Sequence, residues 1–223
     1  MLKGEGGRAK AVASVAVFAG LAAYLALLNL VVPYPVLPYL RFEASEIPVM
    51  VAFFVAGPIP AMSAAVVYWM ILTAVGEWSP IGPALKFAAV ASTLLGLWAG
   101  IAVYSRVAKR RCSSALSVSS AVITAIATRV AVCSLTNYVV IWVLFPFFLG
   151  LATGALKASL AIEAASPLAA LFWISLFTGI YNAVHVLVSV LPAYAVVKTW
   201  KRVGGARLGI PWIATATGEK KTL

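Results

Sequence analysis

The stretch Pro38–Pro60, PYLRFEASEIPVMVAFFVAGPIP, decides how the rest of the chain is arranged. It contains an apolar segment, Ile47–Gly57, that breaks at Gly57-Pro58-Ile59-Pro60. As a helix this segment would measure only ~16 Å at 1.5 Å per residue, whereas the hydrocarbon core of a bilayer is roughly 30 Å thick. Neighbouring helices must therefore shield it, and we expect a cavity open to the outside above its outer end.

The composition indicates a membrane protein made of helices. Of the 223 residues, 63% are hydrophobic and 10% are charged, against roughly a quarter charged in soluble domains. The apolar runs are continuous rather than alternating, which favours helices over a barrel. The net charge of +11 is concentrated at the ends of these runs, so we interpret it as a topology signal and expect no nucleic-acid partner.

Few residues in the chain are suited to catalysis. The chain has no Asp, six Glu and one His, which excludes most paired-carboxylate and metal chemistry. We therefore expect no catalytic residue, no metal and no cofactor, and we predict that the protein is not an enzyme. The two cysteines, Cys112 and Cys133, do not form a disulfide pattern and are predicted to be free thiols.

The number of crossings follows from the positive-inside rule. If Ile47–Val75 crossed once, the basic cluster Arg106–Arg111 would lie outside, whereas two crossings that turn at Gly57–Pro60 place it inside. We therefore predict six transmembrane helices with a short second helix, in a plasma membrane, with both termini cytoplasmic. The predicted spans are Ala11–Val32, Ile47–Gly57, the run from the Gly-Pro break to Val75, Pro83–Tyr104, Ala115–Phe145 and Pro167–Val197.

The spans predict one domain and three irregular segments. Residues 1–203 are expected to form a single transmembrane domain, and residues 204–223 a poorly ordered cytoplasmic tail. Pro33–Glu43 is predicted to be an external loop, and Gly150–Ser166 a second loop.

Some polar residues inside or beside the spans admit two interpretations. Glu46 can stabilise the start of the short helix or bind a ligand. Lys86 can extend to the interface, pair with Glu46 or Glu77, or contact a ligand. Arg129 lies inside the fifth span, and we expect no carboxylate at its depth. A structural role is favoured for it, with backbone carbonyls near Gly57–Pro60 or a partner protein as its acceptors. His185 is expected to be a packing residue.

Several short motifs occur in a recognisable order. Pro38–Pro48 ends in Phe-Glu-Ala-Ser-Glu-Ile-Pro and is followed by Gly57-Pro58; Ser79-Pro-Ile-Gly82 lies four residues before Lys86-Phe87; and Asn137-Tyr138 has Pro146 downstream. Over roughly residues 9–150 this order resembles the riboflavin-type substrate-binding (S) component of energy-coupling-factor (ECF) vitamin transporters.

The resemblance implies a function in transport. Such proteins capture a vitamin from the outside without ATP and join a transmembrane coupling subunit and two ATPase subunits in the lipid membrane. It implies a pocket under the first external loop and a docking face of small residues on the first helix. The implied ligand-binding residues are Phe42, Glu46, Trp69, Lys86, Phe87, Asn137 and Tyr138, and the implied docking residues are Ala9, Ala13 and Ala16.

Three departures from the family pattern affect the ligand. Glu46 replaces an Asp, which keeps the charge, and Lys86 replaces an Asn. The Lys-Asn pair expected in the third span is not present, and Tyr68 and Trp69 occupy roughly that region. Riboflavin is the first expectation, while a cationic Lys86 would suit an anionic vitamin such as pantothenate. A structural membrane subunit without a ligand remains a further alternative. An independent secondary transporter is disfavoured because the chain shows no internal repeat.

Overall fold

The computed structural model describes residues 5–76, 78–107, 114–208 and 211–217. Within them, helices follow one another with a single two-stranded ribbon near the start. The helices are α1 (Glu5–Leu27), α2 (Ile47–Ala56), α3 (Pro58–Val75), α4 (Ile81–Val107), α5 (Ser114–Tyr138), α6 (Phe147–Leu160), α7 (Pro167–Leu208) and α8 (Trp212–Ala216). The strands are β1 (Val31–Pro33) and β2 (Arg41–Glu43); a 3-10 turn, Ala44–Glu46, precedes α2, and a π-helical turn, Val139–Leu144, extends α5.

The membrane-spanning helices agree with the sequence prediction. Five of the described helices, α1, α3, α4, α5 and α7, are long and apolar enough to cross a bilayer. The short α2 completes a set of six, and the protein is an all-α, multi-pass membrane protein. Cys133 is buried and unpaired, as predicted, whereas Cys112 and the basic residues 109–111 lie outside the described residues.

The short helix α2 is the centre of the core, as its composition predicts. It is apolar on all sides, and the residues from Val49 to Phe54 are buried. Pro48 lies in its first turn, where the missing N–H is harmless. It ends at Gly57, whose φ of +101° is a conformation that residues with a side chain rarely adopt. Pro58 then begins α3.

Helices α4 and α5 pack closely because of small residues at their contact. A Cβ atom on Gly100 would lie 2.5 Å from Cα of Ala121, so only glycine permits this backbone approach. Gly96 lies one turn earlier and faces Ala125 in the same way. The spacing Gly-x-x-x-Gly is the sequence signal of such a contact.

The predicted external loop 33–43 is partly ordered by pairing. β1 and β2 form an antiparallel ribbon in which Val32 lies opposite Phe42. Between the strands, Leu37 is fully buried in a small apolar cluster with Ile141 and Leu156. This ribbon therefore lies folded over one end of the bundle.

The prediction of a loop at Gly150–Ser166 was wrong for most of that segment, which is helical through Leu160 as part of α6. Its apolar residues repeat at helical spacing, and Ala152 and Leu156 bury against the bundle. Helix α6 ends at Leu160, and the next residue, Ala161, has a φ of +55°. The two charged residues of the segment, Lys157 and Glu163, form an ion pair on its exposed side.

Part of the tail after residue 203 is ordered, contrary to the expectation. Helix α7 runs on to Leu208, and α8 follows. In α8, Ile213 is 2% exposed and belongs to the main core cluster. The indole of Trp212 lies against Gly57, with its ring centroid 5.2 Å from that of Phe53. Helix α8 therefore covers the end of α2, where a short helix would leave apolar side chains uncovered.

Removing this indole should destabilise the bundle. We expect Trp212→Ala to lower the free energy of unfolding by about 2 kcal/mol, less than the roughly 3–5 kcal/mol of a fully buried Trp, because the ring is half-buried. Thermal unfolding of the purified protein in detergent measures this. Trp98→Ala, at an indole 51% exposed on α4, is the control; equal shifts in both variants would show that α8 does not support α2.

Candidate functional site

A cavity of about 550 Å³ lies in the end of the bundle covered by the β1–β2 ribbon. This volume is in the range of small-molecule sites, roughly 300–1,000 Å³. Six parts of the chain form its walls: the ribbon, the start of α2, the first turns of α4, the second half of α5, α6 and α7. Its polar and charged lining residues are Tyr39, Arg41, Glu43, Glu46, Lys86, Arg129, Cys133, Thr136, Asn137, Thr178, Tyr181, Asn182 and His185.

A buried ion pair between Glu46 and Arg129 lies at the floor of the cavity. Nη1 of Arg129 lies 2.6 Å from Oε2 of Glu46, and Nη2 lies 3.0 Å from Oε1. Nε also donates to Oδ1 of Asn182 at 3.0 Å, and Nη1 donates to Oγ1 of Thr93 at 3.2 Å. Both charged residues are at most 2% exposed. The two-pronged geometry and the additional acceptors are what a buried charge requires.

This pair corrects the prediction that no carboxylate lies at the depth of Arg129. Its main partner is a side chain and not the backbone near Gly57–Pro60. The sequence argument placed Glu46 at the external start of the short helix and Arg129 nearer the cytoplasmic half of the fifth span. The direct contact of the two side chains shows that they lie at one level.

A second ion pair neutralises the other cation predicted for the site. Nζ of Lys86 contacts Oε1 of Glu43 and donates to Oγ of Ser45 at 2.9 Å. The hydroxyl of Tyr68 donates to the same Ser45 oxygen at 3.0 Å. This cluster fixes the end of β2 to α3 and α4, and it leaves the Lys86 ammonium with a carboxylate partner inside the protein.

One face of α7 carries a buried polar stripe. Thr178, Asn182, His185 and Ser189 follow one another at intervals of four, three and four residues, and each is at most 3% exposed. This spacing places them on one side of a helix. The amide of Asn182 and the hydroxyl of Ser189 each donate to a carbonyl of the preceding turn.

Two of these polar groups have an atom without a partner. Among the described residues, Oγ1 of Thr178 and Nε2 of His185 are buried and make no hydrogen bond. Both residues line the cavity. Buried polar atoms are nearly always satisfied, so a group at this position that supplies the missing partners would be stabilising.

Aromatic side chains mark the edge of the cavity. Trp78 is 74% exposed, and its ring centroid lies 6.2 Å from that of Phe148 on α6. Tyr39 stands on the ribbon side, where partial burial raises the pKa of its phenol to about 12. The Tyr39 hydroxyl is therefore a neutral donor at physiological pH.

The structure brings together three of the seven predicted ligand-binding residues. Glu46, Lys86 and Asn137 line the cavity. Phe42 lies behind its wall, with its ring centroid 4.8 Å from Tyr181 and 5.6 Å from His185.

The other three predicted residues face elsewhere. Trp69 and Phe87 pack on each other, with ring centroids 5.2 Å apart, away from the cavity. Tyr138 is 43% exposed and does not line the cavity. It is adjacent to Asn137, and neighbouring helical residues point about 100° apart.

The sequence prediction missed the contribution of α7. Thr178 and Asn182 line the cavity, as do Tyr181 and His185. The signal that could have found them is the spacing of Thr178, Asn182, His185 and Ser189 in an otherwise apolar span, because polar residues on one face of a membrane helix point away from lipid.

Comparison with known proteins identifies the family. Residues 10–194 match the family model described as ECF transporter, substrate-specific component. The chain belongs to this family. It is therefore a substrate-binding subunit for transport and not an enzyme, and its family implies association with the membrane and ATPase subunits of an ECF transporter.

The solved structures agree on the fold. The chain is similar to the S component of a bacterial ECF transporter whose structure and mechanism were studied. The two are 24% identical with a TM-score of 0.58, over 87% of this chain and 99% of that chain. No curated protein sequence matches the chain significantly.

Breaking the buried ion pair should be costly. Arg129→Gln leaves Glu46 as an uncompensated buried carboxylate, and we expect a loss of about 3–5 kcal/mol of folding stability. The double variant Glu46→Gln/Arg129→Gln should recover part of this loss, because no charge is then left unpaired. Unfolding of both variants in detergent is the measurement.

The exposed pair Lys157–Glu163 provides the matched control for this experiment. Its side chains are 68% and 72% exposed, so Lys157→Gln should leave the unfolding transition nearly unchanged. If Arg129→Gln were as stable as Lys157→Gln, the buried pair would not hold the bundle together.

Proposed function

We propose that this S component captures an uncharged, planar vitamin from the extracellular side, with riboflavin as the first candidate. The observation that carries the proposal is the cavity under the ribbon, whose floor charges, Glu46 and Arg129, neutralise each other. Family membership supports a transport role, and the aromatic edge formed by Trp78 and Phe148 suits a flat ring system.

The distribution of cations supports an outward orientation of the cavity. Ile81, at the start of α4, lines the cavity, whereas Arg106 lies in the last turn of that helix. On α7, Lys198 lies thirteen residues beyond His185 in the direction away from the cavity. The positive-inside rule then directs the cavity end outward and both termini to the cytoplasm.

The pairing of Lys86 bears on the choice of vitamin. Lys86 is the cation that the sequence suggested for an anionic ligand such as pantothenate, but its ammonium already contacts Glu43 and Ser45. Binding an anion would require that pair to separate. A neutral ligand requires no such change, and this supports riboflavin over pantothenate.

We also propose that α1 docks on the coupling subunit through Ala9, Ala13 and Ala16. All three are exposed in the isolated chain. Gly20 continues the same side, and no atom lies within 4 Å of the position its Cβ would take. A strip of small residues lets a second helix approach closely, and the two ATPase subunits would supply energy through that contact.

Ligand binding tests the proposed substrate directly. We expect riboflavin to quench the tryptophan fluorescence of the purified protein saturably at sub-micromolar concentration, with FMN, pantothenate and thiamine measured alongside. Asn137→Ala should weaken binding about tenfold, as expected for loss of one hydrogen bond in a buried site. Tyr138→Ala, at the exposed neighbour, should not change it.

Each result of this experiment has a distinct meaning. Binding of a different vitamin alone would replace riboflavin and keep the transport role. No binding of any of the four by correctly folded protein would favour a structural membrane subunit.

Transport tests the docking face separately from binding. Ala13→Phe should leave riboflavin affinity unchanged and should abolish uptake by cells that also express the coupling and ATPase subunits, because the larger ring keeps the helices apart. Leu95→Phe, at a 51% exposed position on α4, is the control and should transport normally. Normal uptake by Ala13→Phe would place the docking contact elsewhere.

A further inference from the structure

Two hydrogen-bond acceptors face each other across the cavity floor without a donor between them. Oε1 of Glu46 and Nε2 of His185 lie 3.6 Å apart, which is too long for a hydrogen bond. Oε1 receives one hydrogen bond, from Nη2 of Arg129, and a carboxylate oxygen can accept a second. Nε2 has no partner among the described residues.

The hydrogen bonds of Tyr181 set the tautomer of His185. The Tyr181 hydroxyl donates its proton to the carbonyl of Arg41 at 2.6 Å. Its oxygen lies 2.9 Å from Nδ1 of His185, and with its own proton engaged it acts there as the acceptor. Nδ1 therefore carries the hydrogen, and in the neutral imidazole Nε2 presents a lone pair.

From this geometry we propose that Glu46 and His185 form a specificity element that reads an N–H donor of the ligand. Both side chains are at most 1% exposed and line the cavity. One N–H placed between the two acceptors would satisfy Nε2 and the free position on Oε1. This inference rests on the proposed function and narrows its ligand class.

A second unsatisfied group lies on the same face of α7, further along the cavity wall. Thr178 lies seven residues, about two turns, before His185 on the same face of α7, and its Oγ1 has no partner. It can donate to a carbonyl oxygen of the ligand. Asn182, between them, accepts a hydrogen bond from Arg129 and donates one to the Thr178 carbonyl. It therefore fixes the position of Arg129 relative to α7. The matching ligand carries an N–H donor for Glu46 and His185 and a carbonyl acceptor for Thr178, and in riboflavin the ring N–H belongs to the imide.

The same element selects against acidic groups. A carboxylate or phosphate placed here would bring only acceptors towards Glu46 and His185, and leaving these buried acceptors unsatisfied is unfavourable. The imide edge of a flavin would meet this floor, while the ribityl chain, or its phosphate in FMN, would have to point towards the exposed rim at Trp78.

The test compares riboflavin with 3-methylriboflavin, which differs by a methyl group on the imide nitrogen. Titrations of the purified full-length chain follow tryptophan quenching. In the wild type we expect methylation to weaken binding about thirtyfold, the loss of a donor to a buried acceptor plus the added bulk. In His185→Leu, riboflavin should bind about tenfold more weakly than in the wild type. The affinity of the methylated analogue should change little between wild type and variant, so the ratio of the two affinities should fall.

A control and a second probe separate this result from a folding defect. Ser189→Ala removes a buried hydroxyl of the same stripe that bonds only within α7 and does not line the cavity, and it should keep the wild-type ratio. Lumichrome, which has the imide edge and no ribityl chain, should compete with riboflavin in the wild type.

The outcomes distinguish this inference from the function on which it rests. Equal binding of riboflavin and its methylated analogue would overturn the imide assignment and leave riboflavin capture intact, and so would an unchanged ratio in His185→Leu. Binding of pantothenate or thiamine, with no binding of either flavin or of lumichrome, would overturn both the assignment and riboflavin and would leave the S-component role.

Discussion

The bundle depends on the buried ion pair between Glu46 and Arg129. It joins the start of α2 to the middle of α5, and its remaining hydrogen bonds reach Thr93 on α4 and Asn182 on α7. A charge buried this deeply is stable only with its counter-charge in good geometry. These contacts therefore hold four helices at one level. They also form the floor of the cavity, where the charges of Glu46 and Arg129 neutralise each other.

The short helix α2 makes this arrangement possible, but its other end stops inside the bundle and leaves apolar side chains to be covered. Its ten residues extend about 15 Å, so a helix that begins at the cavity floor ends within the bundle. The uncovered end is occupied by α8, with Trp212 against Gly57. The same brevity thus accounts for the cavity at one end and for the packed C-terminal segment at the other, and the sequence break at Gly57-Pro58 marks the boundary between them.

Local signals in the sequence predicted the short helix, the Gly-Pro break and the six spans, because apolar length, proline position and the placement of cations are properties of neighbouring residues. The partner of Arg129 could not be predicted in this way, since Glu46 lies 83 residues away and the relative depth of two helices is set by packing between distant parts of the chain. The predicted site residues came from motifs, which fix the position of a residue along a helix and not its facing direction. Asn137 therefore lines the cavity while Trp69 and Phe87 do not.

A cavity floor without net charge changes which forces can distinguish ligands there. Both carboxylates near the floor, Glu43 and Glu46, form ion pairs with cations of the protein. A charged group of a ligand therefore finds no unpaired opposite charge among these four residues. For the proposed ligand, selectivity would come from burial of its flat ring system and from hydrogen bonds to the unsatisfied atoms of the floor. Buried hydrogen bonds discriminate strongly because a mismatched ligand leaves polar atoms without partners. Nε2 of His185 and Oγ1 of Thr178 are two such atoms. Both lie on α7, which hydrogen bonds from Arg129 and Tyr181 hold in position.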